Sequence, residues 1–406
     1  MLALELTWCP RACIGHATGR SAHIKITDVE VIQFRTTSHS EPSRWGYGVY
    51  LGEDVSREAV TSITKISTDE GVAGYMLGGD PVATGRVLKP LLVGENPLDR
   101  EKIWHWLDQM VTFSHGISES QAGVVDCALW DLAGQQAGLP VSKLLGGVRD
   151  RVKAYASTVP NMGGPKDYAA HVRACQAQGY KAYKVHANIF WDPHAWAPAP
   201  QLPGFPKEDL EICRAVREAA GDDMVLMHDP FGVYTLEESL WIGRELEKLN
   251  YYWLEHPMIE TRVEAYRRLT RELQISILAP EHVPGGPFAR AEWALQGATD
   301  MLRIDVNYGG ITGCWKLINL CELLGIKCEL HFGGWAHLQL LGATPEATCL
   351  YYERGLLRPG LDDFYAAPYL NSIPDPMDGE GNVIISQKPG LGLDLNWDYI
   401  DAHRLG

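Results

Sequence analysis

The chain has 406 residues, of which 46% are hydrophobic and 21% are charged, and its formal net charge is −15. This length is too great for one compact core and fits two domains, one of them the size of a barrel. The negative charge argues against a surface that binds nucleic acid or an anionic membrane, and it would repel an anionic substrate unless a bound cation reversed the sign locally.

The N-terminal residues 1–22 lack the charged segment and the long apolar run of a signal peptide. A disordered extension and a start site placed too early both fit this stretch. No run in the chain approaches the roughly 20 apolar residues of a membrane span, so we expect no membrane partner and a cytoplasmic protein.

The nine cysteines show no paired spacing of the zinc or redox kind. We therefore expect reduced thiols in the core, which also agrees with the cytoplasm. They are Cys9, Cys13, Cys127, Cys175, Cys213, Cys314, Cys321, Cys328 and Cys349.

Residues 23–150 read as a first domain that begins with strands. The sequence alternates as a strand up to Phe34, and a second pair of strands is joined by a hairpin at 69–71. The polar and aromatic segment 35–50 fits a surface loop and equally fits a substrate lid. Such a lid would hold a carboxylate and a polyol through its arginine and aromatic side chains, namely Arg44, Trp45, Tyr47 and Tyr50.

Helical patterning dominates from Pro90 to Leu145. Its best segment has Ser118 as an N-cap and stops at Gly138-Leu139-Pro140. Helix patterning alone explains Asp126 and Asp131, so we interpret both as structural residues.

A barrel is predicted to begin at Val152 with "VKAYAST" and to continue with the strand "GYKAYKVHAN". Side chains in a strand alternate with period two, so Lys184 and His186 share one face while Lys181 lies out of phase. A lysine beside an imidazole near a metal would have its charged form disfavoured, which tunes a base toward neutral pH. The alternative is a solvated lysine beside an incidental histidine.

An insertion rich in proline and aromatic residues, 189–205, follows this strand. It is too long and irregular for an ordinary loop of a barrel, and we expect it to cover the barrel mouth. Trp191, His194 and Trp196 either touch substrate or pack within the loop itself.

Five short apolar runs then follow at a regular spacing, and each ends in an acidic or imidazole side chain. By subtraction the steps are 26, 26, 24 and 26 residues. This period fits successive strands of a parallel barrel, in which catalytic groups gather at the C-terminal ends of the strands. The five side chains are Asp229, Glu255, Glu281, Asp305 and His331.

Asp229, Glu255 and Glu281 would place three carboxylates around one point on three adjacent strands. Three like charges cannot all remain ionised there without a cation, and all-oxygen ligation selects a hard ion, so we predict Mg²⁺. The structural alternative is that each acid forms a separate salt bridge.

On the next two strands, Asp305 can orient and support the protonation of His331, and Lys184 and His186 stand across the barrel mouth. A metal flanked by two candidate bases suits removal of the proton next to a carboxylate. The metal would bind the substrate carboxylate and stabilise the enediolate that forms. The predicted partner is therefore a small carboxylate, and we expect no nucleic-acid partner.

The last barrel strand is predicted to be "TCLYYE", which ends at Glu353. Beyond the barrel, at residues 361–406, the chain would return to the first domain through "KPGLGLDL". The barrel itself would span residues 151–360.

These features together resemble the mandelate racemase subgroup of the enolase superfamily over nearly all of residues 23–400. The resemblance rests on "ALWDLAGQQAGLPVSKLLGG", "GYKAYKVH", the three acids, the Asp305 and His331 pair and "KPGLGLDL". It implies an α/β fold, with an α+β capping domain built from the N-terminal part and the C-terminal tail over a (β/α)₇β TIM-type barrel. It further implies an essential Mg²⁺, Glu353 as a hydrogen-bonding acid, and a homo-oligomer, either a dimer or an octamer.

One departure from the family pattern bears on the reaction. The family's second strand usually carries Lys-x-Lys with the second lysine as a base, and this chain has His186 there; Lys184 matches the lysine that neutralises the substrate carboxylate. Racemisation needs a base on each face, whereas one histidine, His331, can serve a dehydration. We therefore expect a lyase that dehydrates an aldonate or aldarate to a 2-keto-3-deoxy acid. A racemase, epimerase or cycloisomerase acting on another α-hydroxy or α-amino carboxylate is the alternative, and a non-catalytic homologue is a remote one.

Overall fold

The computed structural model describes residues 24–39, 56–192, 197–198, 203–357, 359 and 367–405. Four lid candidates and two insertion residues lie outside this part of the chain, namely Arg44, Trp45, Tyr47, Tyr50, His194 and Trp196. No helix within the described part is both long and apolar enough to cross a membrane.

The chain begins with a three-stranded antiparallel sheet of β1 (Ile26–His39), β2 (Ser56–Thr68) and β3 (Ala73–Leu77), in the order β1-β2-β3. The predicted hairpin is confirmed, with Gly71 at a φ of 76°. The expected start of a loop at residue 35 is wrong, because residues 35–39 continue β1 and pair with residues 56–60. The β-branched side chains of Thr36 and Thr37 favour this extended backbone although the hydrophobic alternation ends.

Helices then cover one side of this sheet. They are α1 (Pro81–Ala83), a π-helical turn (Thr84–Leu88), α2 (Lys89–Leu92), α3 (Arg100–Thr112), α4 (Glu119–Ala137) and α5 (Val141–Leu144). The predicted limits of α4 are confirmed. The Ser118 hydroxyl accepts from the Gln121 N–H and the Gln121 side chain accepts from the Ser118 N–H, while Gly138 ends the helix at a φ of 67°.

Eight parallel strands form the second part of the fold. The first two are β4 (Arg151–Thr158) and β5 (Ala182–Val185), and the insertion after β5 contains the short antiparallel pair β6 (Trp191–Asp192) and β7 (Ala197–Pro198). The other six are β8 (Val225–His228), β9 (Tyr251–Glu255), β10 (Ser276–Ala279), β11 (Met301–Ile304), β12 (Lys327–Leu330) and β13 (Tyr351–Leu357).

Seven helices connect these eight strands, which confirms the (β/α)₇β barrel. They are α6 (Pro165–Ala177), α7 (Pro206–Ala220), α8 (Leu236–Lys248), α9 (Val263–Glu272), α10 (Gly286–Leu295), α11 (Gly310–Leu324) and α12 (Trp335–Ala343), with a 3₁₀ turn at Val306–Tyr308. Successive strands pair from β4 to β12, and β13 pairs with β4.

The barrel closes between β12 and β13 through a side chain. The Glu329 carboxylate accepts from the backbone N–H groups of Leu350 and Tyr351, at 3.3 and 3.2 Å. The predicted limits of the last strand are therefore wrong at both ends. The strand begins at Tyr351, because the segment just before it bonds to Glu329. It continues past Glu353 to Leu357, because β4 still offers backbone partners.

The C-terminal tail returns to the first sheet. Its strand β14 (Asn382–Ile384) pairs antiparallel with β4, and its helix α13 (Trp397–Ala402) leads to the chain end beside β1. There the Arg35 N–H donates to the His403 carbonyl at 3.0 Å and the Leu405 N–H donates to Gln33 at 2.8 Å. The expected cap of N-terminal and C-terminal parts is present, whereas the exact domain boundaries remain a prediction.

Two buried aspartates of α4 connect this helix to distant parts of the chain. Asp126 accepts from the backbone N–H and the hydroxyl of Thr312 in α11, at 2.8 and 2.7 Å. Asp131 accepts from the N–H groups of Tyr75 and Leu391, at 2.9 and 2.7 Å. Both contacts agree with the structural role that the sequence indicates.

The thiols of the described residues lie in the core, where the sequence predicts them. Seven cysteines are buried and form no disulfide, while Cys9 and Cys13 lie outside the described residues. Cys321 lies in α11 and Cys328 in β12.

Candidate active site

The three predicted metal ligands meet at the C-terminal ends of β8, β9 and β10. Neighbouring parallel strands lie about 4.8 Å apart and end at the same edge, so acids at successive strand ends converge. One ligand oxygen from each of Asp229, Glu255 and Glu281 lies within 4.8 Å of the other two. Their side chains are 2%, 0% and 4% exposed, so the cluster is shielded from water.

The donor chemistry of this cluster fits a hard divalent cation. The donors are carboxylates, and the buried Glu255 Oε1 lies 2.8 Å from Arg303 Nε but accepts no well-aligned hydrogen bond from the described residues. Among the described residues a second group, His256, Glu281 and His282, also brings three ligand atoms within 4.8 Å. The all-oxygen group matches a hard ion better than the group with two imidazoles does.

Lys184, at the end of β5, lies among the carboxylates. Its Nζ is 2.9 Å from Glu255 Oε2, 2.9 Å from Glu353 Oε1 and 3.4 Å from Asp229 Oδ2. Burial lowers its pKa, but the charges of Glu255 and Glu353 outweigh burial and hold the pKa well above its usual range. The surrounding acids favour the ammonium form, and the tuning toward neutral pH that is expected beside a metal stays a prediction.

His186 lies one residue beyond β5, on the same face as Lys184. Its Nε2 is 2.9 Å from Asp229 Oδ2, and its Nδ1 is 2.5 Å from the Thr158 carbonyl oxygen. A carbonyl oxygen only accepts, so Nδ1 carries a proton and Nε2 is the nitrogen that faces the cluster. The Phe231 ring lies against the imidazole, with centroids 4.5 Å apart.

The predicted pair of Asp305 and His331 is present. Asp305 Oδ2 is 2.8 Å from His331 Nδ1, and His331 Nε2 is 2.7 Å from Glu281 Oε1. Burial lowers the pKa of His331, but the negative charge of Glu281 and the Asp305 hydrogen bond raise it to about 10. The His331 side chain is 16% exposed, so a small molecule at the barrel mouth can reach it.

Glu353 of β13 lies on the other side of Lys184. It accepts from the Phe332 N–H at 2.7 Å and contacts both Lys184 and Arg303. Burial raises its pKa, but the two cations overcome burial and hold the pKa well below its usual range. Glu353 is therefore a hydrogen-bond acceptor here, and the role that the resemblance implies for it stays a prediction.

Arg303 in β11 is a site residue that the sequence reading missed. It is 1% exposed, its Nε lies 2.8 Å from Glu255 Oε1, and its Nη2 contacts Glu353. A signal was available in "MLRIDVN": Arg303 precedes Asp305 by two positions, which places both side chains on one face of the strand.

Two histidines next to metal ligands were also missed. His256 Nδ1 lies 2.8 Å from Glu281 Oε2, and His282 Nε2 lies 3.4 Å from Glu281 Oε1. Burial lowers the pKa of His256, but Glu260 and Glu281 raise it to about 10. The signal in the sequence is their position directly after Glu255 and Glu281.

The predicted substrate-binding residues stay predictions. Arg44, Trp45 and Tyr47 lie outside the described residues, and of Trp191 only the backbone is described. The structure thus brings together eight of the predicted site residues. They are Lys184, His186, Asp229, Glu255, Glu281, Asp305, His331 and Glu353.

Comparison with known families agrees with this geometry. Residues 167–399 match the model of the enolase C-terminal domain-like family, and residues 49–146 match that of the mandelate racemase/muconate lactonizing enzyme N-terminal domain. The first match alone covers more than half of the chain. The chain belongs to the enolase superfamily, in its mandelate racemase/muconate lactonizing enzyme group.

This member of the superfamily has relatives among sugar-acid enzymes. The crystal structure of a magnesium-complexed D-glucarate dehydratase from Agrobacterium tumefaciens shares 38% identity, with a TM-score of 0.85, over 95% of this chain and 100% of that one. Arabinonate dehydratase of Saccharolobus solfataricus is 29% identical over 84% of this chain and 90% of its own length. D-Galactarolactone cycloisomerase of Agrobacterium fabrum is 28% identical over 84% of this chain and 91% of its own length.

Proposed function

We propose that this superfamily member is an Mg²⁺-dependent dehydratase of a sugar acid. The observation that carries the proposal is the position of His331, whose Nδ1 is held by Asp305 while its Nε2 lies 2.7 Å from Glu281, a predicted metal ligand. A partly exposed imidazole beside a carboxylate cluster suits proton transfer at the carbon next to a bound carboxylate.

Asp229, Glu255 and Glu281 would hold the ion. When bound, Mg²⁺ would stabilise the negative charge that develops on the substrate carboxylate and, as a cation beside Glu281, lower the proton affinity of His331. Lys184 stays an ammonium beside the same cluster and adds positive charge for an anionic substrate.

The proton movements of a dehydration need only one histidine. Because Asp305 holds Nδ1 of His331, Nε2 is the nitrogen that takes the α-proton of the substrate. The C–H electron pair forms the new C=C bond, the C–O bond of the β-hydroxyl breaks, and His331 returns its proton to the departing oxygen as water. The resulting enol then becomes the 2-keto-3-deoxy acid.

The substrate class is supported by the relatives. The proteins compared above act, by their names, on arabinonate, D-glucarate and D-galactarolactone, which share a hydroxylated chain bearing a carboxyl group or its lactone. Dehydration to a 2-keto-3-deoxy acid needs a carboxylate with hydroxyl groups at the α-carbon and the β-carbon, and aldonates and aldarates meet this requirement.

A panel assay tests the proposal. The purified protein is incubated with Mg²⁺ and with D-glucarate, galactarate, D-gluconate, D-galactonate, D-xylonate or arabinonate, and 2-keto acids are measured as semicarbazones. We expect one or more acids to react, with the reaction lost in EDTA and in His331→Asn. A protein that binds Mg²⁺ but forms no keto acid from any of them would contradict the proposal.

Cycloisomerisation or racemisation is the second candidate, and His186 favours it. This imidazole contacts Asp229 whereas His331 contacts Glu281, so two histidines touch different carboxylates of one cluster. His186→Gln separates the candidates. A dehydratase that uses only His331 keeps much of its kcat in this variant, whereas a two-base racemase loses racemisation in both directions.

The proposal extends to assembly as a dimer or an octamer, which the family resemblance supports, and to a cytoplasmic location, which the buried free thiols support. Light scattering after gel filtration tests the assembly, and a mass matching one chain would contradict it.

A further inference from the structure

Four charged side chains form a closed ring beside the metal cluster. Lys184 Nζ is 2.9 Å from one oxygen of Glu255 and 2.9 Å from one oxygen of Glu353. Arg303 contacts the second oxygen of each: its Nε is 2.8 Å from Glu255 Oε1, and its Nη2 touches Glu353 Oε2. All four side chains are at most 3% exposed, so water screens them little.

Arg303 is fixed in this ring by groups outside it. Its Nη1 donates to the Leu330 carbonyl at 3.2 Å, and its Nη2 donates to the Tyr155 hydroxyl at 3.3 Å. A planar guanidinium bound on several sides cannot swing away as a lysine can. Glu353 is thereby held against Arg303, and it is not among the carboxylates whose ligand oxygens converge within 4.8 Å in the described part of the chain.

The ring and the metal cluster together carry excess negative charge. The three predicted ligands and Glu353 are four carboxylates, and Lys184 and Arg303 are two cations. Asp305 pairs with His331, and the imidazoles are left out of this count. Within this set of side chains, Arg303 lowers the net negative charge beside the ion site from three to two.

We propose that Arg303 is a positioning residue that sets the affinity and the charge preference of the metal site, by holding Glu353 out of the ligand group and balancing one carboxylate. This inference rests on the magnesium site of the proposed function. A purely structural Arg303 would fill space and stabilise the barrel without influencing which cation binds.

The two roles predict different metal selectivity. Removing the positive charge in Arg303→Gln strengthens binding of every cation, and of a trivalent ion more than a divalent one, because the lost repulsion grows with the charge of the ion. Glu353→Gln has the opposite effect. In the double variant the two changes cancel.

Binding of Mg²⁺ is measured by calorimetry, and binding of Tb³⁺ by tryptophan-sensitised luminescence with Mg²⁺ competition. Trp253 is a suitable sensitiser because its Nε1 donates to Glu255 Oε2 at 3.1 Å. We expect the ratio of Kd for Mg²⁺ to Kd for Tb³⁺ to rise about tenfold or more in Arg303→Gln and to fall about tenfold in Glu353→Gln. In the double variant the ratio should lie within about threefold of the wild type.

Arg354→Gln is the matched control. Arg354 is a buried arginine next to Glu353 in the chain, but it pairs with Asp375 at 3.3 Å. This variant tests the general effect of removing a buried guanidinium, and we expect its ratio of Kd for Mg²⁺ to Kd for Tb³⁺ to equal that of the wild type.

The outcomes separate the two proposals. A folded Arg303→Gln with an unchanged ratio overturns this inference alone, and so does a double variant in which the single effects fail to cancel. If Arg303→Gln does not fold, Glu353→Gln decides, and an unchanged ratio in it overturns the inference. A wild-type protein that binds no Mg²⁺ overturns the proposed function and this inference with it.

Discussion

Replacing Asp305 with asparagine tests how His331 works. Asp305 uses its two oxygens separately: Oδ1 accepts from the Asn307 N–H at 2.8 Å, and Oδ2 lies 2.8 Å from His331 Nδ1. In Asp305→Asn the amide oxygen must take the place of Oδ1, because the Asn307 N–H needs an acceptor. The amide NH₂ then faces His331 Nδ1 and donates to it.

This exchange reverses the tautomer of the imidazole. With Nδ1 accepting, the proton of the neutral ring moves to Nε2, which is the nitrogen assigned to the α-proton, and that nitrogen can no longer serve as a base. The lost charged hydrogen bond accounts for about 1.5 to 3 kcal/mol, and a wrong tautomer in a comparable carboxylate–histidine pair lowers kcat about 10⁴-fold. We therefore expect kcat to fall about 10³- to 10⁴-fold while KM changes little.

The assay is initial-rate formation of 2-keto acid from the best substrate of the panel, with Mg²⁺ affinity and thermal stability measured in parallel. Asp300→Asn is the matched control, because Asp300 precedes the same strand but bonds the backbone N–H of Ile277 at 2.9 Å. A folded Asp305→Asn that keeps more than about a tenth of the wild-type kcat would refute the assigned role of Asp305.

Two further predictions concern metal binding and pH. Mg²⁺ at about 100 times its Kd should stabilise the wild type by about 2.7 kcal/mol, which is measured as a rise in Tm. This rise should vanish in Glu281→Gln and persist in Glu292→Gln, a control at an exposed position. A rise in Glu281→Gln equal to that of the wild type would contradict the ligand assignment. Burial raises the pKa of Asp126 to about 6, from 3.8 for an unperturbed carboxyl, so the folded state binds this proton more tightly than the unfolded state does. The stability that this proton contributes is complete below pH 3.8 and is lost as the pH rises through about 6. Urea titrations should therefore show the free energy of unfolding of the wild type falling by about 2 kcal/mol relative to Asp126→Asn between pH 4 and pH 6. A constant difference over that range would contradict the burial argument.

The metal cluster could be predicted from the sequence because two local regularities define it. Each βα unit takes about the same length, so the acids recur at nearly equal steps, and parallel strands end at one edge. Asp229, Glu255 and Glu281 therefore converge whatever the detailed packing is. Lys184 and His186 followed from the period of two in a strand.

Features that depend on which side chains meet across the barrel were not predictable in the same way. Arg303 lies in a strand that is buried along its whole length, where an unpaired charge is costly, and the ring with Glu255 and Glu353 explains how this charge is tolerated. The low pKa of Glu353 follows from its partners Lys184 and Arg303, which lie on other strands. The start of β13 depends on the Glu329 carboxylate, a side-chain contact that hydrophobic patterning does not record.

The central claim is that His331 moves the α-proton during loss of water. The most direct test is NMR and mass spectrometry of the reaction in D₂O with Mg²⁺ and a sugar acid from the panel. We predict a 2-keto-3-deoxy product with one deuterium at C3 in the wild type, and neither product nor α-proton exchange in His331→Asn. Deuterium exchange at the α-carbon without loss of water in the wild type, or product formation by His331→Asn at the wild-type rate, would contradict it.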